Sequence, residues 1–292
     1  MPIEIKQNEP LAKHNTFAIG GPADYFAAAK SPEEIMEAVA YAKKNNLPYF
    51  VLGGGSNILI SDSGYRGLII KIQNRDFKIE GEKITAGAGA ALSQLMNVSA
   101  ERGLSGLEWA VGIPGTIGGA VNGNCGAYGR SISESAEAVS VLDESGRIKK
   151  YSKADCGFNY RSSKFKNLAN KEIIIEVELK LAKGEKEKIK EEIKNILMTR
   201  KGKVPPQPSA GCVFKNIKSP DGKLVAAVGK LVDQCGLKGS RMGGAAIPQT
   251  HGNYVVNMGG AKAEEVRALI NVCKEKVKEK FGFDLEEEIV VL

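Results

Sequence analysis

The 292-residue sequence predicts an α+β protein of three consecutive parts, and three observations point that way. Two glycine-dense loops lie in the first half, Gly53-Gly54-Gly55-Ser56-Asn57 and Gly112-Ile113-Pro114-Gly115-Thr116-Ile117-Gly118-Gly119-Ala120. Short alternating apolar segments dominate the middle. A proline cluster, Val204-Pro205-Pro206-Gln207-Pro208, then precedes a last stretch with one strongly periodic helix. Proline favours extended chain on its amino-terminal side, so the cluster marks a domain boundary.

Residues 1–60 read as strand, helix, strand and glycine loop, a small α/β unit. Ser31 is the expected N-cap, Pro32 the first helical residue and Glu34 the partner in a capping box, while Ile35, Val39 and Ala42 share a face. The apolar strand Tyr49–Leu52 runs directly into the glycine triplet. Residues 61–203 contain short strand-like segments at 67–72, 83–86, 138–142 and 172–181, with turn signals such as Glu144-Ser145-Gly146 between them; a mixed sheet with a few helices is expected. A helix placing Ile189, Ile193, Ile196 and Leu197 on one face leads to the proline break. Residues 204–292 then read as a compact α/β cap, with a strand at 254–257, a helix aligning Val266, Leu269, Ile270, Cys273 and Val277, and a final strand over 288–292.

Composition narrows the function classes. With 42% hydrophobic and 26% charged residues the chain can bury a sizeable core. Its apolar stretches fall well short of a membrane span, and the start Met1-Pro2-Ile3-Glu4-Ile5-Lys6 has no basic flank followed by an apolar signal core, so a cytoplasmic location is expected. Five cysteines, with no Cys-x-x-Cys spacing and only His14 and His251 beside them, argue against a structural metal or a disulfide framework. The formal charge of +7 is mixed along helical stretches such as 185–194 and 274–280 with little aromatic interleaving, which favours solvated helix faces over a nucleic-acid surface. Oligomeric state is left open, and a monomer is compatible with the sequence.

The glycine loops indicate the ligand. Glycine lets the backbone take φ > 0 and approach a phosphate with no Cβ in the way. A single triplet is equally a tight turn between strands. Two such loops, the second continuing into Asn122-Gly123-Asn124-Cys125-Gly126-Ala127-Tyr128-Gly129, imply an extended anionic ligand such as a dinucleotide. The familiar fingerprints fail. Each Gly-Lys pair (Gly202-Lys203, Gly222-Lys223, Gly229-Lys230) is followed by Val or Leu, which excludes a Walker loop, and no Gly-x-Gly-x-x-Gly opens a helix after Tyr49–Leu52.

The order of motifs resembles the UDP-N-acetylenolpyruvoylglucosamine reductase family, also called UDP-N-acetylmuramate dehydrogenase. It runs from Asn15-Thr16-Phe17 and Gly20-Gly21 through both glycine loops to Tyr160-Arg161-Ser162-Ser163-Lys164-Phe165. It continues with Pro208-Ser209-Ala210-Gly211-Cys212-Val213-Phe214-Lys215-Asn216, then Leu237-Lys238-Gly239-x-Arg241-x-Gly243-Gly244-Ala245 and Leu285-Glu286-x-Glu288-Ile289. The resemblance covers nearly the whole chain. It implies a vanillyl-alcohol-oxidase-type (PCMH-type) FAD-binding fold, with residues 1–60 and 61–203 holding FAD and 204–292 closing over the sugar nucleotide. The implied reaction is NADPH-driven reduction of UDP-N-acetylglucosamine enolpyruvate to UDP-N-acetylmuramate in peptidoglycan precursor synthesis, with hydride from flavin N5. The implied cofactor contacts are Gly53, Gly54, Gly55, Ser56, Asn57, Gly112, Ile113, Pro114, Gly115, Thr116, Gly118, Gly119, Ala120, Asn122 and Gly126. Neither histidine lies in these loops, so the flavin is expected to be non-covalent. The short span between Arg161 and the proline break lacks room for the extra tyrosine-bearing loop of one family branch and points to the shorter branch.

Adding hydride to an enol ether builds negative charge beside the carboxylate, so the site needs an anion stabiliser and a proton donor. The resemblance assigns the first to Arg161, whose fork of donors suits a carboxylate. A surface salt bridge is the alternative, and the aromatics Phe158, Tyr160 and Phe165 favour a partly buried setting instead. Glu288 is the matching carboxyl group, with Glu286 its rival because both share a face if the segment is a strand. Val290 departs from the family, which usually has arginine there. Cys212 stands where many members carry serine, and a thiol with a pKa of roughly 8.5 is a competent acid. Cys156, Cys235 and Cys273 are expected to be small buried hydrophobes. Lys203, Lys215, Asn216 and His251 are the candidate substrate contacts, His251 being equally well an exposed loop residue. Two other functions stay open: another flavin oxidoreductase of the same cofactor fold, such as a small-alcohol or sugar oxidase, and a non-catalytic nucleotide-binding protein.

Overall fold

The computed structural model describes residues 3–166 and 172–292, and its two structural units are interleaved along the chain. The first comprises Met1–Lys6, Phe26–Gly54 and Gly67–Thr199; the second comprises Gln7–Tyr25, Gly55–Arg66 and Arg200–Leu292. Three consecutive parts were expected. The difference lies in burial: Phe17, Ile19 and Leu59 come from the first 60 residues, yet they sit in one apolar cluster with Val213, Phe214, Val266 and Ile270. Met1 and Pro2, in the expected leaderless start, lie outside the described residues, as does 167–171 in the span too short for a substrate loop.

In the first unit a five-stranded antiparallel sheet has the spatial order Ile148–Ser152, Ala136–Leu142, Ile173–Lys180, Lys83–Gly87 and Phe77–Glu80. Its middle strand reads Ile-Ile-Ile-Glu-Val-Glu-Leu-Lys and is buried at six of its eight positions, as a β-branched strand covered on both faces should be. The helix Pro32–Lys44 forms as its cap residues require. Ser31 Oγ accepts from the Glu34 N–H at 3.3 Å, and the Glu34 carboxylate accepts from the Lys30 N–H at 2.7 Å, one residue earlier than an ideal capping box. Ile35, Ala38, Val39 and Ala42 form its buried face. Strand Tyr49–Leu52 pairs in parallel with the segment from Leu68 to Lys71, which ends the strand at the glycine triplet. The helix expected before the proline break spans Lys186–Arg200, but Ile189 is its only buried residue and Leu197 is 46% exposed. Lys186 and Lys190 instead meet Glu101 of helix Leu92–Glu101, at 2.8 and 3.5 Å.

The second unit is built on a four-stranded sheet in the order Ser209–Cys212, Tyr254–Asn257, Ala245–Ala246, Arg241–Met242. Helix Ala263–Phe281 buries Val266, Leu269, Ile270, Cys273 and Val277, the expected face. Segment 55–66 is fastened here from two sides. Asp62 accepts from the N–H groups of Ala263 and Glu264 at 2.8 and 3.1 Å, capping the long helix, and Ile58–Leu59 pairs in parallel with Val290–Val291. The last strand is therefore two residues long, not the five of 288–292. Glu286, Glu287 and Glu288 precede it, so alternation along a strand does not set their directions. Two buried asparagines stitch the loops. Asn253 makes both bonds to the Phe214 backbone, and Asn257 Nδ2 donates to Phe17 O at 3.1 Å while its Oδ1 accepts from Gly259 and Ala261.

None of the five cysteines forms a disulfide, and the described residues contain no cluster suited to a metal ion. Among the described residues no helix is long and apolar enough to cross a membrane. Cys156 and Cys273 are buried as expected, whereas Cys235 is half-buried at the end of helix Val228–Gln234. Burial pushes the Cys156 thiol up to about 11 and the Cys273 thiol up to about 12. Thiolate is the reactive form. Iodoacetamide at mildly alkaline pH should therefore label Cys235 in the folded protein and leave Cys156 and Cys273 unmodified until denaturant is added. Peptide mass mapping checks this, and early labelling of Cys273 would contradict its packing.

Candidate functional site

In the first unit the two glycine loops lie against one another with no side chain between them. A Cβ on Gly54 would stand 2.8 Å from Gly115 Cα, and one on Gly53 would stand 2.8 Å from Thr116 Oγ1. Glycine at 54 thus serves the approach of backbone to backbone, in addition to any ligand. The second loop is anchored from below. Gly115 O accepts from the Leu92 N–H at 3.1 Å, while the N–H groups of Ile117 and Gly118 donate to Ala90 and Ala88 at 2.9 Å each. Thr116 caps the short helix Ile117–Asn122 by accepting from the Gly119 N–H. Ile113 donates to Ala110 O, and Ala120 is buried.

Glycines within these loops differ in purpose. Gly118 sits on Ala88, where a Cβ would come within 2.7 Å of the Ala88 methyl, and Gly126 sits on Arg130 O, 2.3 Å from a built Cβ; both are packing positions. Gly112, Pro114 and Gly119 form the exposed rim, and a Cβ on Gly119 would meet nothing closer than 3.5 Å. The open backbone lies at that rim. Gly55, Ser56 and Asn57 belong to the second unit. Gly55 takes φ +69° against His14 O, and the exposed Asn57 donates from Nδ2 to Glu288 O at 3.0 Å.

Arg161 is held by a tight turn in the first unit. Asn159 and Ser162 exchange backbone hydrogen bonds at 3.0 and 3.1 Å, leaving Tyr160 and Arg161 at the tip, and Arg161 adopts φ +52°. A left-handed non-glycine residue costs energy and persists where its surroundings over-determine it. Those surroundings are the second glycine loop: Ser163 Oγ donates to Asn122 O at 2.8 Å, and Asn124 Nδ2 donates to Asn159 O at 2.9 Å. The guanidinium is half-buried and stands 5.7 Å from the Tyr160 ring centroid. Gly53 and Gly54 thus pack against the second loop, and hydrogen bonds tie that loop to the turn that holds Arg161.

In the second unit Cys212 and Tyr254 are register partners across antiparallel strands. A register shift between Ser209 and Cys212, with Gly211 at φ +80° and open space over its Cα, turns the strand at this point. The Tyr254 side chain is half-buried here. Burial first, then the negative charges of Cys212 and Glu288, push the phenol well above the ordinary tyrosine range, while Arg200 pulls the other way. Cys212, Tyr254, Glu288 and Arg200 are therefore neighbours. The backbone of Glu288 is held by its N–H to Val213 O at 2.7 Å. The adjacent glutamates are engaged elsewhere: Glu286 pairs with Lys215 and is 72% exposed, and Glu287 pairs with Lys274.

The candidate substrate contacts fare differently. Lys215 is the partner of Glu286, and its N–H donates to Glu286 O at 2.9 Å. Asn216 Oδ1 accepts from the Val228 N–H at the start of helix Val228–Gln234. His251 Nδ1 accepts from the Asn253 N–H, its ring meets Tyr254 edge-on at 5.0 Å, and burial together with Lys238 holds its pKa below the usual value. Lys203 is exposed in the turn after Arg200. Tyr254 and Arg200 escape notice in the sequence, because nothing local to either points to Cys212; strand register and the chain turn at 200 bring them there.

Residues 204–292 match the family described as UDP-N-acetylenolpyruvoylglucosamine reductase, C-terminal domain, and residues 23–152 match an FAD binding domain. The chain is 40% identical over 291 residues to UDP-N-acetylenolpyruvoylglucosamine reductase of Clostridium tetani, covering 99% of this chain and 92% of that protein. It is 41% identical over 288 residues to the protein of the same name from Caldanaerobacter subterraneus subsp. tengcongensis, covering 98% and 92%. The crystal structure of UDP-N-acetylenolpyruvylglucosamine reductase from Thermus caldophilus superposes with a TM-score of 0.83 at 35% identity, over 100% of this chain and 99% of that one. With the FAD-binding match in its first half and a full-length likeness in sequence and structure, the chain is an α+β protein with an FAD-binding domain and belongs to the UDP-N-acetylenolpyruvoylglucosamine reductase family.

Proposed function

We propose that this chain is a cytoplasmic enzyme that reduces UDP-N-acetylglucosamine enolpyruvate to UDP-N-acetylmuramate with NADPH as reductant. The observation that carries the chemistry is the grouping of a thiol, Cys212, with the carboxyl group of Glu288, a constellation that an alcohol oxidase or a passive nucleotide binder has no need of. The mixed, largely paired surface charge gives no reason to invoke nucleic acid. Residues 1–60 and 61–203 are assigned to FAD and 204–292 to the sugar nucleotide; the two family matches, over 23–152 and 204–292, support that division of labour.

FAD fits the residues present. Two glycine-rich loops meet backbone to backbone at Gly54 and Gly115, and Gly112, Pro114 and Gly119 form an exposed rim beside them with little side-chain bulk to keep a ligand away. When bound and reduced, FAD supplies the hydride. All remaining work belongs to side chains. Arg161, pre-set in its turn, stabilises the negative charge that accumulates on the substrate carboxylate. Glu288, beside a second carboxylate once substrate is bound, acts best as the protonated acid or in a shared-proton pair. Cys212 gives its proton to the carbon next to that carboxylate and is left as thiolate. Lys203, Lys215, Asn216 and His251 line the approach of the diphosphate and uridine, Lys215 doing so by exchanging its Glu286 partner for phosphate.

An anaerobic two-step spectrum tests the whole assignment: NADPH should bleach a flavin band, and the enolpyruvyl sugar nucleotide should restore it. Three variants test its parts. Gly54→Val should purify with little FAD, because its side chain would force the two loops apart; full flavin content would remove these loops from the cofactor site.

Arg161→Lys and Glu288→Gln should slow recovery of the flavin band by on the order of a hundredfold or more, the usual cost of losing one well-placed donor. Bleaching by NADPH should stay near the parent rate. Equal damage to both steps would assign these residues to the fold, and a larger effect at Glu286 than at Glu288 would move the role one turn of the chain back.

For Cys212, stopped-flow and steady-state assays should find Cys212→Ala bleached normally by NADPH but stripped of most turnover, with Cys212→Ser largely restored. The thiol is a proton donor only below its pKa, so parent activity falls on the alkaline side as it ionises. That limb should weaken or move in the serine variant. Undiminished turnover of Cys212→Ala would place the donor on water or another group.

A further inference from the structure

We propose that Tyr254 is a positioning residue for Cys212: its half-buried phenol donates a hydrogen bond to the Cys212 sulfur and stabilises the thiolate left after proton transfer. The inference rests on the assignment of Cys212 as proton donor and adds the group that makes that thiol a better acid.

The geometry carries it. Cys212 and Tyr254 are directly opposed across an antiparallel ladder, a placement that brings side chains of one sheet face into contact. The register shift ahead of Cys212 and the left-handed Gly211 aim the strand so that this pair, and not its neighbours, comes together. Tyr254 is itself fixed, ring edge against His251 at 5.0 Å, and His251 is anchored through Nδ1 by the Asn253 N–H and packed on Gly229. A phenol held in this way cannot turn to follow a moving partner. Its register partner, and so the nearest side chain across the ladder on the same sheet face, is Cys212.

Three other groups bear on the pair. Arg200 contributes a positive charge that favours the thiolate, Glu288 a negative charge that opposes it when ionised, and His251 a ring kept neutral by burial and Lys238. The phenol does not compete as an acid. Burial and its anionic neighbours hold its own proton far more tightly than an ordinary tyrosine does, so it remains O–H across the working range. The step is balanced accordingly. The S–H bond breaks, a C–H bond forms on the substrate carbon, the electron pair stays on sulfur, and the Tyr254 O–H shortens its contact to the thiolate. Water later returns a proton to sulfur and resets the enzyme. A hydrogen bond made to the charged form favours that form, so its loss should raise the thiol pKa.

The test compares the FAD-loaded parent with Tyr254→Phe, which keeps the ring on His251 and deletes one oxygen. The rate of Cys212 alkylation by iodoacetamide, read by peptide mass from about pH 6 to about pH 10, follows the thiolate directly, whether or not the thiol takes part in turnover. Its midpoint should rise by about one pH unit in Tyr254→Phe. The alkaline limb of flavin re-oxidation by the enolpyruvyl substrate should move by the same amount in the same direction. In a Cys212→Ser background Tyr254→Phe should leave the pH profile unchanged, an outcome that a purely structural tyrosine would not give. An alkylation midpoint that stays in place, or a Cys212 that resists alkylation throughout the range in both proteins, overturns the proposal. A midpoint that moves while the alkaline limb does not upholds the Tyr254 coupling and instead removes Cys212 as the donor.

Discussion

The constraint on which the first unit's glycine loops depend is the contact of two bare backbones at Gly54 and Gly115. Nothing larger than hydrogen fits there, so the loop ending strand Tyr49–Leu52 and the loop opening helix Ile117–Asn122 are locked edge to edge. The lock propagates through hydrogen bonds. Gly115 and Ile117 are tied to the turn at Ala90, Asn122 receives Ser163, and Asn124 holds Asn159. Arg161 inherits its strained conformation from this series of contacts. The glycine rim and the Arg161 turn thus share one support, and the pre-organised electrostatic stabilisation proposed for this site requires such a support.

A different economy governs the second unit. Its acid site is placed by a sheet register: one antiparallel pairing sets Cys212 against Tyr254, and the segment ahead of the last two-residue strand brings Glu288 close. The segment that carries Glu288 is irregular, and its backbone is held by its N–H donating to Val213 O and by its carbonyl accepting from Asn57 Nδ2. Segment 55–66, which begins inside the glycine triplet, serves this unit by capping the long helix through Asp62. The chain passes from the first unit to the second between Gly54 and Gly55.

Neighbouring charges sort the three consecutive glutamates without any help from strand alternation. Glu286 and Glu287 are engaged by lysine partners, Lys215 and Lys274. Glu288 instead contributes to the field around a half-buried phenol and a thiol. Groups in such settings are the ones whose protonation can be shifted for chemistry.

By itself the sequence determined the local elements whose signals are short-range: the Ser31 cap, the strand entering the glycine triplet, the apolar stripe from Val266 to Val277, and the motif order that identifies the family. These rest on propensity, capping and periodicity, which act within a turn or two of chain. Only the tertiary structure decided what depends on contacts between distant segments. It joined Phe17 and Leu59 to the carboxy-terminal core, left the apolar residues of Lys186–Arg200 beyond Ile189 unburied, and cut the last strand to Val290–Val291. It also set Tyr254 beside Cys212, 42 residues apart in number (254 less 212) and adjacent in register. No window of sequence holds that register, because it is chosen by where the whole sheet can bury its apolar face.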